Sequence, residues 1–474
     1  MTAALETEEQ SKFPVLLSQI SQFLHLASRC RSSKGFIIAS VSIAIFTDTF
    51  LYGVVVPVLP FALTERAGIE TDRAVYSAVL MIAALIAISG YFADRSPSRQ
   101  FPFLIGLLAL SGGTVMLCVG ENIGVFVAAR IIQGLSSGLV WSVGLALLVD
   151  TVGSSQIGQA MGYVGIGINL GVLLSPLLGG VVFSQAGYHS VFAMVFALIA
   201  LDTILRLAIV ERRPGVQGID PQNFGIKPHR AMMPETTNHE GEIRQNNSTG
   251  SRKLPAAFTL LASRRFAVAI GISLVQAALT SSFDTVLPLF VSDTFGWGSI
   301  GAGLISVPIA LPALVSPVAG WMSDRYGPRW LAATSLLLAC PWFVCLRYVT
   351  HNSISQKILL VILLLGTGLC LNIILAPAMA EIAYVIEAKE KKNPGIFGSS
   401  GAYAQAYGLS CLAFAAGGLV GSLWAGMIID RSGWSTVTWT LGLLSAVTAF
   451  PALAWMGGRL QMEMRERRDV ETPR

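Results

Sequence analysis

Twelve apolar stretches divide the chain, at about 36–60, 74–93, 101–120, 124–149, 157–182, 189–210, 266–290, 300–323, 330–349, 357–385, 403–429 and 433–457. Each approaches or exceeds the roughly 20 apolar residues that a helix needs to cross the hydrocarbon core of a bilayer. No water is available there to backbone donors and acceptors, so each stretch must close its hydrogen bonds within itself as an α-helix. Only 12% of the 474 residues are charged and the mean hydropathy is +0.65, whereas a soluble domain carries about 25% charged residues. The expected fold is an all-α membrane protein with twelve transmembrane helices. The sequence before Phe36 lacks the basic start, short apolar run and small-residue cleavage site of a removable signal, so the first span is expected to direct insertion. Cys118, Cys340, Cys345, Cys370 and Cys411 fall in apolar segments and Cys30 just before the first one, with no paired or metal-ligand spacing; free thiols are expected.

A polar interval separates the first six spans from the last six. The expected organisation is a cytoplasmic N-terminal tail (1–35), a six-helix bundle (36–210), a disordered cytoplasmic linker (211–265), a second six-helix bundle (266–457) and a cytoplasmic C-terminal tail (458–474). Lys and Arg accumulate in the cytoplasmic loops of membrane proteins. With the N-terminus inside, 25 of the 32 Lys and Arg fall on that side and four on the other, while Arg130, Arg206 and Arg347 lie within spans. Both termini are therefore expected in the cytoplasm, and the sequons at Asn246 and Asn247 are expected to go unused.

The halves also share a local pattern. After the second span comes Gly90-Tyr-Phe-Ala-Asp94-Arg95-Ser-Pro-Ser-Arg99, and after the eighth comes Gly320-Trp-Met-Ser-Asp324-Arg325-Tyr-Gly-Pro-Arg329. Both read G-x-x-x-D-R-x-x-x-R at the same place in each half. Internal repetition of this kind marks secondary transporters, whose substrate site lies near the midplane between repeats that rock against one another.

On these residues the chain resembles the major facilitator superfamily across essentially all twelve spans. The resemblance implies two pseudo-symmetric six-helix bundles and a gating role for the repeated loops, in which the Gly permits close helix approach and the Asp and Arg make charge-assisted contacts. Arg130-Ile-Ile-Gln-Gly134 in the fourth span resembles the family's R-x-x-Q-G element, associated with proton coupling. Gly162, Gly171, Ser175, Pro176, Gly179 and Gly180 in the fifth resemble the antiporter signature of drug:proton exchangers, with Ser175 in place of a Gly. Helix 1, with Asp48 nine residues before Pro57, and Asp284-Thr-Val-Leu-Pro288 in helix 7 are similar to elements of the vesicular amine transporters. Where those carriers have further acids, this chain has Asn372 and Cys411, so substrate and proton count do not transfer.

An ionised carboxylate inside a bilayer costs at least about 2.5–3.5 kcal/mol on insertion scales. Asp48, mid-span in helix 1, and Asp284, in the outer part of helix 7, occupy repeat-related helices and are expected to face one cavity. There they would alternately hold protons and a cationic or polar substrate, with Arg130 tuning one of them; desolvation favours the neutral acid. The alternative for each Asp is a purely structural hydrogen bond between helices. Phe50, Tyr52, Asn169, Gln276, Asn372 and Tyr407 are candidates to line the cavity, as are Phe46, Phe283 and Tyr403 for an aromatic wall. Asp202 and Arg206, four apart, read as an internal ion pair. Asp150 and Glu381 fall at inner helix ends.

No nucleotide-binding loop, metal-ligand cluster or nucleophile elbow occurs, which argues against an enzyme or an ATP-driven pump. No cofactor or metal and no nucleic acid partner are expected; the partners are small organic molecules, protons and the lipid bilayer, and the working unit is a monomer. The leading expectation is proton-coupled efflux of drug-like or other amphipathic molecules across the plasma membrane. Loading of amines into vesicles or vacuoles by the same chemistry and a non-transporting solute receptor are its rivals.

Overall fold

A computed structural model describes residues 31–55, 99–209, 256–297, 304–394, 396–397 and 402–457. Several expected features lie outside the described residues: most of the N-terminal tail, the second apolar stretch, Gly90, Asp94 and Arg95, most of the linker, and the C-terminal tail.

The described part is helical throughout. Helix α1 (Lys34–Val54) starts at Ser33, whose Oγ accepts the Phe36 amide at 3.2 Å, a side-chain cap for an otherwise orphaned donor. Helices α2 (Gln100–Val119), α3 (Ile123–Val152), α4 (Ile157–Ala186) and α5 (Tyr188–Ala208) follow. The far end of the expected linker holds a short helix, α6 (Ala256–Leu261), before α7 (Arg264–Phe295). The eighth stretch is broken into α8 (Val307–Ala310), a 3-10 turn (Leu311–Val315) and α9 (Ser316–Tyr326). Pro308, Pro312 and Pro317 explain the break, because each removes a backbone donor and crowds the preceding turn. Then come α10 (Pro328–Cys345), α11 (Ile354–Lys392) and α12 (Tyr403–Trp455). The last holds both final stretches as two limbs that meet at Gly433, whose φ of 75° lies in the left-handed region; glycine enters it without a Cβ penalty.

Among the described residues, nine helices are long and apolar enough to cross a membrane. The difference from the expected twelve has three sources: the second stretch lies outside the described residues, the eighth is proline-broken, and the last two meet at Gly433, whose backbone is not helical, and count together as one.

Helices α1 to α5 pack on one another, α1 along α4 and α2 along α3; α7 to α12 form a second group in which α7 lies along the first limb of α12. Three apolar clusters hold these groups. One, at the end where α1 and α4 begin, draws on both: Ile37, Leu148 and Ile157 from the first, Phe266, Leu375 and Tyr407 from the second. At the opposite end the clusters are separate, one around Phe50, Leu110 and Phe126 and another around Phe290, Phe343 and Leu441. Among the described residues the bundle is thus shut at the first end and parted at the second.

Candidate functional site

Asp48 lies on α1 where the shared cluster gives way to the parted end, 7% exposed. Two donors from α3 converge on its Oδ2: Ser137 Oγ at 2.5 Å and Trp141 Nε1 at 2.8 Å. Ser137 and Trp141 are one helical turn apart, so they share a face of α3. The Asp48 Oδ1 atom accepts no hydrogen bond from the described residues. Across from this carboxylate stands α12: its Cys411 thiol is within electrostatic reach of Asp48, and its Phe414 ring meets Trp141 with centroids 6.2 Å apart.

One turn further along α1, Tyr52 is half exposed at the parted end. The buried Arg130 guanidinium lies 5.7 Å from its ring centroid, a favourable cation–π separation. Arg130 Nη1 also donates to Gln133 Oε1 at 3.0 Å, and Gln133 Nε2 to Thr114 Oγ1 at 3.2 Å. The R-x-x-Q spacing therefore puts both side chains on one face of α3 and ties them to α2. Tyr52 also feels the charge of Asp284, which is exposed on α7. Arg130 thus sits against Tyr52, with Asp284 within electrostatic range of it, while Asp48 is held separately, about 10 Å inward from Arg130 at 1.5 Å per residue.

At the shut end the second repeated loop meets the start of α4. Asp324, at the end of α9, accepts the backbone amides of Gly158 at 2.7 Å and Gln159 at 2.9 Å, the first turn of α4. The Tyr384 hydroxyl donates to the same carboxylate at 2.7 Å. An acid at a helix N-terminus neutralises orphan amide donors and the positive end of the dipole. Burial pushes the Asp324 carboxyl above its ordinary value, and these three donors hold it back. Gly320 lies against the Gly158 backbone, and Gly162 against Ser316 and Pro317. Further along α4, Gly171 meets Phe46 and Thr49, Ser175 meets Gly53, and Gly179 meets Val54, all on α1. Pro176 lies inside α4 without interrupting it, and Gly180 faces open space.

The basic members of the repeated loops are placed differently. Arg99 Nε contacts Asp150 Oδ2 at 3.2 Å, joining the start of α2 to the end of α3. Arg325 lies over Trp321 and Tyr326, and Arg329 over Trp330.

The remaining expected residues make the following contacts. Phe50 is in the core of the first group, and Tyr407 is fully buried with its hydroxyl donating to Met379 O at 3.1 Å. Asn372 Nδ2 donates to Gly368 O and, across to the broken span, to Ile309 O at 3.1 Å. Asn169 donates to Gly165 O on its own helix at 2.8 Å. Gln276 is buried, and its Oε1 has no partner among the described residues. Asp202 and Arg206 are fully buried and paired at 2.6 Å, with Arg206 also donating to Phe103 O at 2.8 Å. Glu381 accepts from Arg265 at 2.8 Å and from the Gly457 amide at 2.9 Å.

Sequence reasoning missed Ser137, Trp141 and Phe414. The available signal was Trp141 itself: an indole deep in an apolar span, away from the interfaces where Trp collects, needs an acceptor for its N–H.

The Major Facilitator Superfamily model matches residues 41–384 and 300–473. An uncharacterized MFS-type transporter of Schizosaccharomyces pombe is 31% identical over 93% of this chain and 100% of its own length. A probable vesicular acetylcholine transporter-B of Danio rerio is 30% identical over 36% of this chain and 37% of its own. The crystal structure of the human organic anion transporter MFSD10 (TETRAN) superposes with a TM-score of 0.65 at 17% identity, covering 89% of this chain and 99% of that one. With two helix groups joined through a shared apolar cluster and the family model matching most of its length, the chain belongs to the major facilitator superfamily.

Proposed function

We propose that this protein is a proton-coupled antiporter that exports small amphipathic or cationic organic molecules from the cytoplasm by alternating access. The observation that carries the reading is Asp48: a buried carboxylate with one oxygen accepting two hydrogen bonds from α3 and the other accepting none from the described residues. Such a group is costly in the bilayer interior unless it is protonated or paired with a cation, and exchange between those two states is antiport. Asp284, exposed at the parted end, is the first acid that an entering proton or departing cation meets. The excess of Lys and Arg supports a cytoplasmic location for the shut end and both termini, an orientation in which the molecule stands open outward.

The helix 1 acid element and the partial match to a vesicular acetylcholine transporter support a second reading, amine loading into vesicles or vacuoles by the same chemistry. The compartment in which the tagged protein resides separates the two.

The deciding experiment is flux of organic cations into proteoliposomes under an imposed pH gradient. Asp48→Asn is expected to abolish pH-driven accumulation, and Asp284→Asn to weaken cation affinity about tenfold, as expected for a lost charge-assisted contact. Unaltered accumulation by Asp48→Asn would refute the coupling role.

A further inference from the structure

Trp141 touches both the carboxylate of Asp48 and the opposite half of the bundle. Its Nε1 donates to Asp48 Oδ2 at 2.8 Å, and its ring meets Phe414 of α12 at 6.2 Å with an interplanar angle of 32°. The side chain is 8% exposed and belongs to the apolar cluster that shuts the bundle. It stands about 16 Å from the end of α3 at 1.5 Å per residue, too deep for an interfacial anchor.

We infer that Trp141 is the positioning residue that transmits the charge state of Asp48 to the contact between the two halves. The inference rests on the reading of Asp48 as a proton carrier and adds how that proton is felt at the shut end. A hydrogen bond to an ionised acceptor is roughly twice as strong as one to a neutral group. With Asp48 ionised, the indole is held firmly and its ring stays seated on Phe414, so the shut end is latched. With Asp48 protonated, the same N–H faces a weaker acceptor and the ring is freer to leave Phe414. Proton uptake from the open side therefore releases the shut side, the order that proton-driven export requires. Cation binding keeps the acid ionised, reseats the indole and closes the shut end behind the substrate.

The groups around Asp48 leave it as the switch. On α5, Asp202 and Arg206 compensate each other. On α12, Cys411 is within electrostatic range of Asp48. Helix α4 contributes Tyr163 and no charged residue, α3 carries Arg130 and Asp150 toward its two ends, and α1 itself adds Lys34 and Tyr52.

The test needs no substrate. Spin labels are placed at Ser155→Cys, between α3 and α4, and Lys391→Cys, in the last turn of α11, in a full chain whose six cysteines are changed to Ala. Distances are read by pulsed electron paramagnetic resonance in nanodiscs from acid to alkaline pH. The parent is expected to pass from one short distance at alkaline pH to a short–long mixture in acid, with a roughly tenfold change in the ratio. Trp141→Phe keeps a ring for Phe414 but has no N–H, and is expected to lose that response. Phe414→Leu keeps the N–H contact and is expected to lose it too. Asp48→Asn must abolish the response, and adding Trp141→Phe to it must change nothing further, as coupled residues behave. A parental response in Trp141→Phe alongside none in Asp48→Asn overturns the inference and leaves Asp48 as the proton carrier. A parental response in Asp48→Asn, or no response in the parent, overturns both.

Discussion

Asp48 and Asp202 are two acids buried in the same half, with opposite chemical meanings. Asp202 is spent on Arg206, and both groups are fully buried. Removing one member of such a pair strands the other charge and costs about 3–5 kcal/mol, whereas replacing both with apolar residues is often neutral. Asp202→Ala is therefore expected to lower the thermal midpoint in detergent by several degrees, and Asp202→Leu with Arg206→Met to restore most of it. Asp48→Asn retains an acceptor for Ser137 and Trp141, and its melting should match the parent while its transport does not. Legibility differs in the same way. The Asp202–Arg206 pair follows from an i, i+4 spacing that any helix enforces. The partners of Asp48 lie 89 and 93 residues away, on a different helix, so the acid could be singled out from the sequence while the groups that hold it could not.

Helix α4 shows what a motif does as an element. Along one side it abuts α1, the helix of Asp48, and at its beginning it abuts α9 of the other half. In a bilayer, helices associate through close van der Waals packing rather than a hydrophobic drive, so small residues decide where backbones can meet. A Cβ at position 162 would collide with the Ser316 carbonyl and Pro317, whereas one at 180 would meet none of the described residues within 4 Å. Gly162→Ala is expected to loosen the shut end, speeding maleimide labelling of a Ser316→Cys probe about tenfold; Gly180→Ala is expected to leave it unchanged. Hydropathy located the spans because it reports length and apolar content. It gave no sign that the eighth would break, since a window average registers three prolines as residues and not as three missing donors.

At the scale of the molecule, the described residues share an apolar cluster at one end and divide into separate clusters at the other, one of the two arrangements that alternating access requires. An alternating-access carrier must part the α4–α9 contact once in every cycle, whereas a receptor that only binds a solute need not. The contact can be locked where the two halves already fit. A Cβ at Gly165 would stand 3.5 Å from the Ser316 Cβ, within the range of about 3.5–4.5 Å that a disulfide spans. Gly165→Cys with Ser316→Cys is expected to cross-link under mild oxidation, to stop flux in proteoliposomes and to recover it on reduction, while either single variant is unaffected by oxidant. The locked form stays open at the parted end, so a membrane-impermeant thiol reagent applied from that side should still reach a Tyr52→Cys probe. Flux that continues through the cross-linked protein would mean that the halves do not separate here and that the path lies elsewhere. Full solute binding without flux, before and after reduction, would instead favour the receptor.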